Sequence, residues 1–244
     1  MKEKLYTIPV NDAFDSGCEC PVCAMRQILE TQSVEYTMGP SYMEDDIRAE
    51  TDRLGFCTRH MNMIYEQKNM LGMALVLKTH MKKTRQDLEK LAKEPVKAAP
   101  LFKKPEKSAV GEYVRKLQDS CFICNRINQV FDRYVTTIFH LYRTDEAFRE
   151  KYRGSKGFCT EHFGLLMEQA PKELKGDTLA SFVQDTARLY LDNMQRVEED
   201  LDWFINKFDY RYQNEPWKNA KDAVPRAMIK TNGILPPEEK DSGK

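Results

Sequence analysis

Hydrophobic positions recur along this chain at helical spacing, with no stretch of strict alternation long enough to argue for a sheet. The clearest stripe is Val183, Ala187, Tyr190, Met194, Val197, Leu201, Phe204 and Phe208. Its steps of four and three are those of a heptad seam. Charged residues such as Arg188, Asp192, Arg196, Glu199 and Asp200 fall between them. The pattern predicts a helix over Asp177–Phe208, about 48 Å long at 1.5 Å per residue. A shorter stripe, Ala74, Leu77, Met81, Thr84, Leu88 and Leu91, predicts a second such helix. Each seam can pack within the monomer, or the long one can form a homodimer.

Further helices are predicted at Pro21–Thr37 and Phe122–Leu141. Pro40 suits a first helical turn and Gly55 a stop. A matching short helix is predicted over Asp145–Arg153, ended by Gly154. Three prolines and several lysines mark 93–112 as a linker. After the long helix, Phe208–Trp217 holds four aromatic residues, and Tyr210 and Tyr212 alternate with polar neighbours. That alternation predicts an extended strip packed on the chain's own helices, with Tyr210, Arg211, Tyr212 and Trp217 as a candidate ligand or partner surface. Pro216 and Gly233 bracket a last predicted helix, Trp217–Lys230. The polar tail 234–244 is expected to be disordered.

The chain reads as a duplication. Gly55-Phe-Cys-Thr-Arg-His60, continued to Gln67, aligns with Gly157-Phe-Cys-Thr-Glu-His162, continued to Gln169, and seven of thirteen positions are identical. Upstream, Cys20-Pro-Val-Cys23 aligns with Cys121-Phe-Ile-Cys124, and 33 and 34 residues separate the two motifs in the two copies. The predicted organisation is therefore all-α: a helical repeat over 1–92, the linker 93–112, a second repeat over 113–208, an aromatic segment and helix over 209–233, and the tail.

These motifs carry the only recognisable chemistry. Cys-x-x-Cys turns both sulfurs to one centre, and Cys-x-x-His at a helix start puts both side chains on one face. Three thiolates and an imidazole suit tetrahedral zinc. The spacing predicts two structural zinc ions, one per copy: Cys20, Cys23, Cys57 and His60 in the first, Cys121, Cys124, Cys159 and His162 in the second. An iron–sulfur cluster, a redox-active dithiol or buried metal-free cysteines remain open. Cys18 has no counterpart in the second copy. His80 and His140 fall inside helices and read as ordinary structural residues.

Composition narrows the setting. Lys+Arg and Asp+Glu each number 38, so the formal net charge is zero, where a dedicated nucleic-acid binder would carry a basic excess. Local basic stretches do exist, at Lys82–Arg85 and in the linker. No apolar run is long enough to span a membrane, and the first residues lack a secretory signal. Seven cysteines, an odd number, argue against a secreted disulfide framework. A cytoplasmic protein is expected. No phosphate loop, nucleophile elbow or His-Glu-x-x-His motif is present.

The doubled motif, with Lys207-Phe-Asp-Tyr-Arg-Tyr212 and Glu215-Pro-Trp217 after the long helix, resembles an uncharacterised family of bacterial proteins. The likeness covers about Cys20 to Gly233. It implies a duplicated, metal-binding, all-α protein and adds no activity. A non-enzymatic scaffold or binding protein is the leading expectation. A pocket between the copies that binds a ligand or acts as an enzyme is the alternative, and a thiol redox protein a second.

Overall fold

The computed structural model describes residues 4–93 and 108–234, with side chains from Tyr6 onward. Among the described residues it is all-helical. In chain order the helices are α1 (Lys4–Asp15), α2 (Pro21–Met38), α3 (Asp45–Leu54), α4 (Thr58–Glu66), α5 (Met70–Leu91), α6 (Ala109–Gln118), α7 (Phe122–Thr144), α8 (Glu146–Arg153), α9 (Thr160–Glu173), α10 (Gly176–Asn206) and α11 (Ala223–Asn232), with a 3-10 turn at Pro40–Met43. No helix among the described residues is long and apolar enough to cross a membrane.

The chain divides into two compact units. One comprises Met1–Gln27 and Phe131–Lys244; the other is Ile28–Val130. Both divisions fall inside helices, α2 and α7.

The first unit is built on aromatic rings. Phe139, Tyr142, Phe148, Tyr152, Phe158 and Phe182 are all buried, together with Phe14 of α1. Tyr142 meets Phe182 edge-on at 4.9 Å and Tyr152 at 5.2 Å, and Tyr152 lies 5.4 Å from Phe158. Each such ring contributes roughly 1.5–3 kcal/mol by burial and about 0.5–1.5 more from its ring partners. Their hydroxyls are satisfied. Tyr152 shares a 2.6 Å hydrogen bond with Thr186, and Tyr142 donates to Asp185 at 2.6 Å. Asp185 also accepts from Arg153 Nε at 2.7 Å.

This cluster sets the rotation of α10. Its buried residues are Phe182, Thr186, Leu189 and Val197, whereas Val183, Ala187 and Tyr190 are only half-buried. The stripe read from sequence is one residue out of register over the first half of the helix, because the larger Phe182 takes the core position beside it. Phe208, read as the last core residue of the stripe, is 73% exposed.

The second unit is smaller. In it α5 packs along α3, and also meets α4 and α6. Its core is aliphatic and sulfur-rich: Leu29, Val34, Met38, Ile64, Met73, Val76 and Ile127. Asn69 caps α5, accepting from Gly72 N–H at 2.9 Å and donating to the Met38 carbonyl at 2.9 Å. One side chain thereby starts α5 and fixes it to the end of α2.

Several expectations need correction. Helices α1 and α6 were not foreseen, and α6 occupies the last residues of the stretch read as a linker over 93–112. The rest of that stretch, at 94–107, and the tail 235–244 lie outside the described residues. The segment after α10 is a series of turns, not an extended strip, for a specific reason. The buried Lys207 ammonium donates to the carbonyls of Tyr212, Gln213 and Glu215 at 2.6, 2.8 and 2.5 Å. That curls the chain around one cation. The last helix starts at Ala223, not Trp217, and Gly233 ends it in the left-handed conformation (φ 65°).

Candidate metal centres

The eight cysteine and histidine donors gather into two groups of four. Within each group the donor atoms all lie within 4.8 Å of one another. The groups are Cys20, Cys23, Cys159 and His162 in the first unit, and Cys57, His60, Cys121 and Cys124 in the second. The grouping expected from sequence, each copy closing on itself, is therefore corrected. The first Cys-x-x-Cys meets the second Cys-x-x-His, and the second Cys-x-x-Cys meets the first Cys-x-x-His.

Local hydrogen bonds show why. In the second unit Phe122 N–H donates to the Gly55 carbonyl at 2.9 Å, and Ser120 Oγ to the Leu54 carbonyl at 2.7 Å. The loop before Cys57 is thus bonded to the residues flanking Cys121. Phe56 meets Phe122 edge-on at 6.4 Å. In the first unit the fully buried Lys230 of α11 links the corresponding places. Its ammonium donates to the Glu19 carbonyl at 2.7 Å and to the Lys156 carbonyl.

The Gly-Phe-Cys turns need their glycines. Gly157 has φ +73°, and a Cβ there would stand 2.7 Å from the Leu189 carbonyl oxygen. Gly55 has φ +58°, and a Cβ there would meet the His80 ring at 2.9 Å. His80 Nδ1 is bonded to the Asp52 carbonyl at 2.9 Å, a structural role.

In the first cluster His162 Nδ1 lies 3.5, 3.2 and 3.2 Å from the sulfurs of Cys20, Cys23 and Cys159. All four residues are buried. In the second, His60 Nδ1 lies 3.3 Å from each of Cys57, Cys121 and Cys124. Donors at about 2.0–2.3 Å from one tetrahedral ion stand roughly 3.3–3.8 Å apart; the histidine-to-sulfur distances of both groups are close to that range, while Cys57 and Cys124 stand a little wider at 4.0 Å. The two Cys-x-x-Cys turns also aim a backbone N–H at the earlier sulfur, Cys23 to Cys20 at 3.4 Å and Cys124 to Cys121 at 3.5 Å.

The histidines differ behind the donor atom. His60 Nε2–H donates to Glu30 Oε1 at 3.0 Å, and Glu30 is held in turn by Arg59 at 2.6 Å. A carboxylate there fixes the tautomer that leaves Nδ1 free for a metal. His162 has an aromatic neighbour instead, Phe131, with ring centroids 5.7 Å apart. Its buried Nε2 has no hydrogen-bond partner among the described residues. Glu30 and Phe131 both stand ten residues beyond the first cysteine of the Cys-x-x-Cys motif that opens onto their helix. Neither residue is marked in the sequence, because only the long-range packing brings each beside its histidine.

Three thiols crowded around one point cannot ionise independently. Hydrogen bonding to Cys159 and Cys20 and burial push the Cys23 thiol up, and burial pushes Cys20 up to about 12. Cys159 is lowered by its hydrogen bonds from Cys20 and Cys23. In the second cluster burial pushes Cys124 up to about 12, assisted by Cys121. Burial also opposes ionisation of Cys121, yet His60 and the backbone N–H groups of Cys124 and Cys57 together outweigh it and bring that thiol to about 6. A divalent cation removes this mutual repulsion by ionising all three. Cys18 stands outside both groups, its sulfur 3.7 Å from the Ala13 carbonyl.

The aromatic segment divides. Tyr212 packs edge-on to Trp203 at 5.8 Å, Trp217 lies 5.8 Å from Phe204, and Trp203 Nε1 donates to the Pro216 carbonyl at 3.0 Å. Tyr210 is 82% exposed, and Arg211 folds back onto Asp209 at 2.7 Å. A cleft of about 490 Å³ elsewhere in the first unit is lined by Tyr6, Arg133, His140, Arg143 and Glu173, among others. On α5, Lys83 and Arg85 pair with Asp87 and Glu89 four residues on, both at 2.5 Å.

Residues 1–238 match the family model described as a family of unknown function (DUF6062), and the chain belongs to that family. No curated protein and no solved structure matches it.

Proposed function

We propose that this family member is a zinc-stabilised helical scaffold, in which Cys20, Cys23, Cys159 and His162 bind one zinc ion and Cys57, His60, Cys121 and Cys124 a second. The observation that carries this reading is the convergence of four soft or borderline donors, twice, within 4.8 Å. Three sulfurs and one nitrogen complete a tetrahedral sphere and leave no position for water or substrate, the mark of a structural zinc site. Free thiols at all seven cysteines suit a reducing, intracellular setting. The two similar motif pairs support an origin by duplication with exchanged partners.

Metal analysis of protein purified without added metal tests the proposal. It requires about two zinc ions per chain, the number implied by four ligands per site. Iron with visible absorption, or metal-free folded protein, would refute it. A second reading draws on the cleft lined by Arg133, His140 and Glu173: a small-ligand-binding protein whose zinc ions only hold the fold. At about 490 Å³ the cleft has the size of ordinary ligand sites. Native mass spectrometry detects a co-purified ligand, and Arg133→Glu removes it if this reading holds.

A further inference from the structure

The two clusters are chemically similar but differently protected. All four residues of the first are buried, whereas Cys57 and Cys124 of the second are only half-buried. Over the first cluster, the end of α11 is placed so closely that a Cβ at Gly233 would stand 3.4 Å from Cys23 Sγ and 3.6 Å from Cys159 Sγ. Lys230, one turn earlier, is 1% exposed and ties both edges of that cluster together. Among the described residues, no helix of the second unit follows α7 to cover Cys57 and Cys124 in this way. Those two sulfurs are 4.0 Å apart. Arg59 stands between Cys57 and His60 in sequence, its side chain 71% exposed and paired with Glu30 at 2.6 Å. Two half-buried sulfurs this close, in the less covered of the two clusters, are the ligand pair that peroxide reaches most readily.

We propose that the second cluster is a hydroperoxide-responsive thiol site: Cys57 and Cys124 oxidise to a disulfide and release the metal held there, while the first cluster keeps its own. The proposal rests on the metal reading above for the release step, but not for the disulfide. One thiolate attacks the O–O bond of the hydroperoxide, giving a sulfenic acid and expelling alkoxide or hydroxide. The other attacks the sulfenic sulfur, forms the S–S bond and expels hydroxide. Two protons from solvent complete one water and one alcohol, or two waters when the oxidant is hydrogen peroxide. The sulfurs lose two electrons and the peroxide gains two. Cys121 and His60 are then the only ligands left to the ion, half the number a structural site uses.

The test is titration of the full-length protein with hydrogen peroxide. Released zinc is read with a chromogenic chelator, and disulfides are mapped by peptide mass spectrometry without reduction. The expected result is about one metal per chain released at least ~10-fold faster than the other, as exposure governs thiol oxidation, together with a Cys57–Cys124 linked peptide. A Cys18→Ser variant should behave identically. Simultaneous release of both metals, earlier loss from the first cluster, dependence on Cys18 or a Cys20–Cys23 disulfide would each overturn it. If the purified protein holds no metal, the metal reading fails by itself, and the first disulfide formed still decides the present proposal.

Discussion

The sulfurs of Cys23 and Cys159 lie 3.5 Å apart although 136 positions separate them in the chain. Cys23 and Cys57, much nearer in sequence, belong to different clusters. This exchange makes a prediction that within-copy pairing cannot share. In a double-mutant cycle, Cys23→Ser and Cys159→Ser should be strongly coupled, by about 0.5–3 kcal/mol, because the first substitution already disables the site. Cys23→Ser and Cys57→Ser should be close to additive. Thermal or denaturant unfolding of the zinc-loaded variants measures both. Coupling of 23 with 57 in place of 159 would show that the copies close on themselves.

Glu30→Gln keeps the shape beside His60 and removes the charge. The second cluster should bind its metal about 10–100-fold more weakly, the usual effect of losing a carboxylate behind a ligating histidine. Competition with a calibrated chelator should show one weakened site and one unchanged. The first cluster has Phe131 in the matching position, so Phe131→Leu should leave both affinities nearly unaltered.

Lys230→Met removes a buried ammonium from Glu19, whose side chain is 5% exposed and has Arg196 as its other cation at 2.5 Å. Breaking one side of a buried ionic group typically costs about 3–5 kcal/mol. Here the substitution also unties the Glu19 and Lys156 carbonyls, so on the proposed reading faster metal loss from the first cluster should accompany the lower stability. Denaturant midpoints and chelator-driven release measure the two effects separately.

Asp185 gives an acid-sensitive contribution through its bonds to Tyr142 and Arg153 in the first unit. Burial raises its carboxyl, but Tyr142 and then Arg153 outweigh that and hold it below the ordinary 3.8. A depressed carboxyl contributes stability that is present above 3.8 and disappears as pH falls through the lower folded value. Asp185→Asn should therefore cost about 1–3 kcal/mol at neutral pH through its lost charged hydrogen bonds. It should also flatten the fall in stability below pH 4. Unfolding curves between pH 2 and 7 on both proteins give the comparison.

The elements of this fold were legible wherever local chemistry decides. Gly55 stops α3, Asp145 caps α8 and Gly233 ends α11, all readable from residue type and position. Helix α1 was hidden behind Pro9, which lies inside it. The rotation of α10 was hidden because Phe182-Val183 and Leu189-Tyr190 offer two adjacent apolar stripes, and only the distant rings of Tyr142 and Tyr152 select the first. The eight donors stood out from the sequence, since Cys-x-x-Cys and Cys-x-x-His are short-range motifs. Their grouping depends on contacts such as Phe122 to Gly55, which spacing does not encode. Glu30 and Lys230 were missed for the same reason. Each is an ordinary polar residue of a helix until the long-range packing places a histidine or two carbonyls beside it.

The unit 28–130 is an unbroken stretch of chain, while the other is assembled from what comes before and after it. During synthesis, therefore, the inner donor set is complete once Cys124 has emerged, and the outer one must wait for His162. Closing a loop of about twice the length adds only about 0.6 kcal/mol, so the order is imposed by the direction of translation rather than by equilibrium. Cys20 and Cys23 spend that interval as unmatched thiols on the nascent chain. The exchange of partners thus leaves the better-protected site of the finished protein the more vulnerable one while it is being made.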